Sequence, residues 1–219
     1  MESIKKISII VIHWAMDEFR SRLMRDSIFS LIKTTEHLNP EIIVVDNGDN
    51  KEDSRFLLDL TESGKIASYI RNRKNVYFGF ARNQAIYFSS GDYLVIADND
   101  IIYENSWLDE CVEFLDKNEG KYFTTPLLTD PMNRRSIRWR GEVYGWKLNE
   151  RAGSNCTVAR KKDFLEVGYY ENHRIAGSKW TDAYLRKGYL MACMPQPKAK
   201  DVGFRKGYNF NKEIENLSL

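Results

Sequence analysis

The sequence predicts an α/β fold: a mostly parallel central sheet with helices on both faces. Three observations carry this expectation. Short, largely β-branched runs are apolar at nearly every position, as in strands covered on both sides; helical periodicity fills the gaps between them; and polar turn clusters mark where the runs stop. Ile7 to Ile12 is the first such run. Phe19, Leu23, Ile28, Leu31 and Ile32 then recur at helical spacing from Asp17 to Thr35, until Asn39-Pro40 breaks the pattern. Ile42 to Val45 repeats the buried-strand pattern and halts at Asp46-Asn47-Gly48-Asp49-Asn50.

A second helix is expected over Lys51 to Ser63, closed by Gly64, and a short strand over Ile66 to Ile70. Gly79 to Ser90 reads as a helix. Gly91-Asp92 turns the chain into another buried strand, Tyr93 to Ala97, which ends at Asp98. Ser106 to Lys117 is a further helix, with Asn105 or Ser106 as its cap, and a strand at Lys121 to Thr125 meets Pro126. Beyond Leu127 the pattern changes. Arg134 to Trp146 reads as extended segments and loops, Asn149 to Ala159 and Leu190 to Met194 as strands, and Asp163 to Glu166 and Thr181 to Lys187 as short helices. The tail from Lys198 reads as irregular. There are no repeats, so one domain over 1–219 is expected.

Composition narrows the function. Lys and Arg total 33 against 31 Asp and Glu, a formal charge of +2, which argues against a broadly nucleic-acid-binding surface. Every apolar run falls far short of the roughly 20 residues of a bilayer span, and the N-terminal segment lacks the features of a signal peptide. A cytoplasmic protein without a membrane span is expected. Cys111, Cys156 and Cys193 are odd in number and show no CxxC spacing, so they are expected to be core thiols in a reducing compartment.

In an open α/β sheet, ligands bind at the carboxyl ends of the strands, where Asp46 and Asp98 would converge. Asp98-Asn99-Asp100 suits a hard divalent cation, Mg²⁺ or Mn²⁺, bridging the protein to phosphate oxygens. An isolated Asp-x-Asp is more often a turn cap. Here it directly follows Tyr93-Leu94-Val95-Ile96-Ala97, which places the carboxylates where a buried strand emerges.

Gly79-Phe80-Ala81-Arg82-Asn83-Gln84-Ala85-Ile86 followed by Gly91-Asp92-Tyr93-Leu94-Val95-Ile96-Ala97-Asp98-Asn99-Asp100 resembles the family 2 glycosyltransferases with the GT-A fold. Ser8-Ile9-Ile10-Val11, Ile43-Val44-Val45-Asp46-Asn47 and Val167-Gly168-Tyr169-Tyr170-Glu171 extend the resemblance over nearly the whole chain. It implies transfer of a sugar from a nucleotide-diphosphate sugar to an acceptor hydroxyl, with inversion and with Mn²⁺ or Mg²⁺. The donor would be a UDP-sugar in preference to a GDP- or dTDP-sugar, and the acceptor a glycan, glycolipid or polysaccharide precursor. Residues 1–100 would bind the donor and 101–219 the acceptor.

Residue by residue, the resemblance implies that Asp46 contacts the base or ribose, His13 lines the base pocket and Arg82 approaches the diphosphate. Asp98 and Asn99 would join the nucleotide-sugar site, Asp98 holding the ribose or a metal-bound water, and Asp100 would ligate the metal. Asp182 is the implied general base, although Thr181 stands where the family has Glu. Where the family often has a metal-binding His, this chain has Asp201-Val202-Gly203-Phe204, so Asp201 is either a replacement ligand or a loop charge. His173 lies in a context that does not match. Asn155, in Gly153-Ser154-Asn155-Cys156, would touch a sugar hydroxyl, and Trp180 would stack on the acceptor. Arg134, Arg135, Arg138 and Arg140 would attract an anionic acceptor such as a lipid diphosphate at a membrane surface, or form a solvated loop.

Two alternatives stay open at this point. A nucleotidyltransferase acting on sugar phosphates would need a Gly-rich basic loop after the first strand, where this chain has His13-Trp14-Ala15-Met16-Asp17. A nucleotide-sugar-binding module without turnover is kept in view by the missing Glu and His.

Overall fold

The computed structural model describes residues 5–14, 17–48, 50–129, 139–150, 156–172 and 176–203. The first half runs β1 (Ile7–His13), α1 (Glu18–Thr35), a 3-10 turn (Glu36–Leu38), β2 (Glu41–Asp46), α2 (Lys51–Glu62), β3 (Ser68–Arg71), α3 (Phe78–Phe88) and β4 (Tyr93–Ala97). The second half runs β5 (Ile101–Tyr103), α4 (Trp107–Lys117), β6 (Tyr122–Leu128), β7 (Trp139–Val143), β8 (Trp146–Asn149), β9 (Cys156–Arg160), α5 (Lys161–Val167), α6 (Ala176–Arg186) and β10 (Leu190–Asp201).

Among the described residues the strands form one sheet in the order β3-β2-β1-β4-β9-β6-β10-β8-β7, with β5 paired to the end of β10. The first four are parallel, as the alternation of strands and helices requires. Beyond them β9 runs antiparallel to β4 and β6, β10 is parallel to β6, and β8, β7 and β5 are antiparallel to their partners. The sheet is therefore mixed, which corrects the expectation of a mostly parallel one. The physical reason is plain at β7 and β8, which no helix separates. β7 and β8 are joined only by Tyr144 and Gly145, both at positive φ (48° and 82°), a connection that permits antiparallel pairing alone.

Period-two alternation in the parallel strands feeds two cores, one on each face. Ile7, Ile9 and Val11 of β1 join Ile42 and Val44 of β2 against Met24, Ile28 and Leu31 of α1. Ile10 joins Ile43, Val45, Leu94 and Ile96 against Ala81, Ala85 and Ile86 of α3. Within the second core Phe123 stacks on Tyr189 at 4.7 Å and on Trp180 at 5.2 Å, and meets Tyr184 edge-on at 5.4 Å. All three cysteines are free and buried. Helix starts follow local chemistry: Asp17 accepts from the Arg20 amide at 2.9 Å, and Asn50 from the Asp53 amide at 2.9 Å. Gly91 lets the turn before β4 close on β1, since a Cβ there would lie 2.6 Å from the Ser8 nitrogen.

Three further boundaries differ from the sequence reading. β10 continues to Asp201, so the segment from Lys198 is strand up to that residue because it pairs with β5 and β6. α6 begins at Ala176 rather than Thr181. β5 has only three residues and is specified by its distant partner, not by its own pattern.

One buried charge ties α1 to α2. Asp53 is fully enclosed and accepts from Ser21 Oγ at 2.5 Å, Asn50 Nδ2 at 2.9 Å and Arg25 Nη2 at 3.1 Å, with His13 Nε2 at 3.3 Å. Burial opposes its ionisation, but the hydrogen bonds from His13, Ser21 and Arg25 outweigh that and hold the carboxyl well below the usual range.

Two predictions follow from this packing. Phe123→Ala is expected to cost about 3–5 kcal/mol in urea unfolding, whereas Tyr87→Ala, at a ring 76% exposed, should change stability by no more than about 0.5 kcal/mol; equal losses would contradict the assignment of the core. For Asp53 the folded pKa lies below the unfolded value of about 3.9, so its stabilisation is complete above that value and is lost as the pH falls. The stability gap between wild type and Asp53→Asn should therefore narrow by about 1 kcal/mol between pH 6 and pH 3, and a gap independent of pH would count against the ionised pair.

Candidate active site

Parallel register gathers the strand ends. His13 pairs with Asp46, Asp46 with Arg71, and Val11 with Ala97, so the chain leaving β4 at Asp98 emerges beside the end of β1. This is the carboxyl edge where open α/β sheets bind ligands.

Each residue of the acidic motif has a separate partner. Asp98 Oδ1 accepts from Arg82 Nη2 at 2.5 Å, Asn99 Nδ2 lies 2.7 Å from His13 Nδ1, and Asp100 Oδ2 accepts from Arg20 Nη1 at 3.1 Å. Burial pushes the Asp98 carboxyl up to about 7; the Arg82 charge opposes the rise, and the charges of Asp100 and Asp201 add to it. Asp100 is raised as well, by burial and by Asp201, with Arg20 opposing. Asp201 ends β10 opposite Ile101 and accepts from the Gly203 amide at 2.9 Å.

Among the described residues no three His, Cys, Asp or Glu side chains converge closely enough to hold a metal ion by themselves. Asp98, Asp100 and Asp201 are therefore not the ready-made three-carboxylate site expected from the sequence, because Arg82 and Arg20 each draw one carboxylate to themselves. The donor set still fits a hard divalent cation. It consists of oxygen donors that repel one another, and Mg²⁺ is commonly held by one or two carboxylates, with waters and substrate phosphates completing its shell. Gly203 presses its backbone against this group: a Cβ there would fall 1.8 Å from Asp100 Oδ2.

Two expected nucleotide contacts are placed differently. The His13 side chain is fully enclosed and engaged at both ring nitrogens, by Asp53 and Asn99, so it does not line a base pocket. The Asp46 carboxylate is also enclosed, accepting from Ser54 Oγ and Tyr69 Oη at 2.6 Å each and from the Gly48 amide at 3.1 Å, with Arg71 Nε ion-paired to it at 3.3 Å. About four acceptor sites are all that a carboxylate has, so Asp46 shapes the loop after β2. Asn47 extends that loop's bonding to Asn72, Asn75 and the Val76 amide.

Arg82 is 5% exposed and stands between the Phe78 and Tyr170 rings, at 5.0 and 5.3 Å. Among the described residues its Nε and Nη1 have no hydrogen-bond partner. Asp182 is half-buried in the middle of α6. Trp180 is corrected from an acceptor platform to a core residue: it is 5% exposed, packs on Phe123, Phe164 and Tyr170, and donates from Nε1 to the Gly168 carbonyl at 2.9 Å. Arg140 bonds Glu150 at 2.7 Å. Asn155, Arg134, Arg135, Arg138 and His173 lie outside the described residues.

Sequence reasoning missed Arg20, Asp53 and Gly203. The first two sit on exposed-looking helix turns and reach the site only through the packing of α1 and α2 on the sheet. Gly203 stood in view beside Asp201, but its proximity to Asp100 depends on the pairing of β5 with β10.

Among the described residues no helix is long and apolar enough to cross a membrane. The chain is 28% identical over 97 residues to an uncharacterized glycosyltransferase of Methanocaldococcus jannaschii, covering 44% of this chain and 33% of that protein. It is 23% identical over 183 residues to the glucosyl-dolichyl phosphate glucuronosyltransferase of Haloferax volcanii, covering 77% of this chain and 56% of that one. It thus spans about a third to about half the length of these relatives. The crystal structure of GalNAc-T7 with UDP, GalNAc and Mn²⁺ superposes with a TM-score of 0.73 at 16% identity, over 95% of this chain and 46% of that chain, which shows the GT-A fold. Residues 9–177 match the family described as Glycosyl transferase family 2, and the chain belongs to that family.

Proposed function

We propose that the chain transfers a sugar from a nucleoside-diphosphate sugar to an acceptor hydroxyl, with inversion and with a requirement for Mn²⁺ or Mg²⁺. The observation that carries this reading is the pair Asp98 and Asp100. Two carboxylates of raised proton affinity stand at the end of a buried parallel strand, each facing an arginine, in a chain of this family. Carboxylates so placed gain by binding a cation. The presence of UDP and Mn²⁺ in the GalNAc-T7 structure supports the same chemistry, with UDP the favoured carrier.

Residues 1–100 would hold the donor. Arg82 has two guanidinium donors left for diphosphate oxygens, and a guanidinium matches such oxyanions in shape and charge. A divalent cation held by Asp98 and Asp100, with waters and phosphate oxygens completing its shell, would take up charge on the leaving diphosphate. Residues 101–219 would hold the acceptor, a glycan, glycolipid or polysaccharide precursor. Asp182 removes the proton of the acceptor hydroxyl as that oxygen bonds to the anomeric carbon and the diphosphate departs from the opposite face.

Three measurements bear on this. UDP should raise the melting temperature far more with Mn²⁺ than with a chelator, since both ligands bind the folded state; equal shifts would sink the metal assignment. Asp100→Asn should weaken Mn²⁺-dependent UDP binding by at least about tenfold, roughly the effect of losing one charged contact, as read by titration calorimetry. Asp182→Asn should lower kcat by about 10²-fold or more while UDP affinity stays nearly unchanged, because a base acts in the transition state. A fully active variant would require a different base.

A further inference from the structure

A buried line of hydrogen bonds runs from α1 and α2 through the end of β1 to the middle of the acidic motif. Its foot is Asp53, whose enclosed carboxylate is held by Ser21 and Arg25 of α1 and by Asn50 at the start of α2. His13 Nε2 contacts the same carboxylate at 3.3 Å, and His13 Nδ1 contacts Asn99 Nδ2 at 2.7 Å. The chemistry sets the direction of every bond. An ionised carboxylate only accepts, so a proton resides on His13 Nε2, and the Asn99 amide nitrogen facing Nδ1 is the donor to it.

We infer that Asp53 and His13 are positioning residues that clamp Asn99 and thereby fix the backbone between Asp98 and Asp100. No ligand contact is available to either residue, since both are fully enclosed. The two motif carboxylates stand in another relation to their surroundings. Each is partly accessible and paired to an arginine that lies on a separate helix, Arg82 on α3 and Arg20 on α1. Between them, Asn99 is the one motif side chain bonded to the end of a central strand. Holding the middle residue of a three-residue turn limits how far the outer two diverge, which matters when both must reach one cation. This inference rests on reading the motif as the donor-side metal site.

The role separates from general stabilisation by experiment. Asn99→Ala removes the donor at a half-buried loop position, and His13→Phe keeps ring volume while deleting both nitrogens; each is compared with the double variant after circular dichroism confirms the native fold. The Mn²⁺ concentration that half-saturates UDP binding should rise about tenfold in each single variant and no further in the double, since both break one linkage. Multiplying effects, or a shift under twofold in Asn99→Ala, would overturn the clamp. A second readout is independent of the donor reading: ¹⁵N spectra of the wild type should show His13 protonated at Nε2, with an Asn99 side-chain amide signal that moves in His13→Phe. An Nδ1-protonated ring or an unmoved amide would refute the linkage itself. If these spectra agree but the wild type binds no UDP with Mn²⁺, the donor reading fails, and with it the positioning role, while the hydrogen-bonded line stands.

Discussion

The parallel register of β2, β1 and β4 is the constraint from which the rest of the site descends. Because His13 is level with Asp46, and Val11 with Ala97, three strands release their chains at one edge of the sheet. His13, Asp46 and the acidic motif lie at or just beyond that edge, and Arg20 and Arg82 reach the motif from α1 and α3. The register itself is fixed by apolar alternation. A slip of one residue would exchange Ile9 and Val11 with Ile10 and set each against the wrong core.

At the edge, solvation and pairing decide which polar groups are available. Asp46, Asp53 and His13 are satisfied inside the protein and serve as framework. Asp98, Asp100 and Arg82 are left with unspent capacity: two carboxyls raised by burial and by neighbouring carboxylates, and a guanidinium with two nitrogens unpartnered among the described residues. The division follows from geometry, since the framework groups are bonded to α1, α2 and β3, while Asp98 and Asp100 lie just beyond β4, facing Arg82 of α3 and Arg20 of α1.

Much of this was legible in the sequence. The strands Ile7–His13 and Tyr93–Ala97 announce themselves by nearly continuous apolar runs, and the acidic motif by its place at the end of one of them. The roles of His13, Asp46 and Trp180 were not legible, because a residue's type and position give its chemistry but not whether its neighbours have already consumed it. Tyr69 and Ser54 reach Asp46 from β3 and α2, and Phe123 reaches Trp180 from β6. The mixed half of the sheet was equally hidden, since β5 is defined by a partner about a hundred residues away. Asp182 had its helix foreseen but not its location within it.

Gly203 has a mechanical consequence. With no side chain between them, the backbone after β10 and the carboxylate of Asp100 are in contact, and the Val202 amide donates to the Asp100 carbonyl at 2.9 Å. β10 begins at Leu190, just after the helix that carries Asp182, and ends at Asp201. The strand therefore runs from the end of α6 to the acidic motif, with register shifts around Pro197. A shift of its end by even a few tenths of an ångström cannot be absorbed by a yielding side chain and must be passed directly to Asp100.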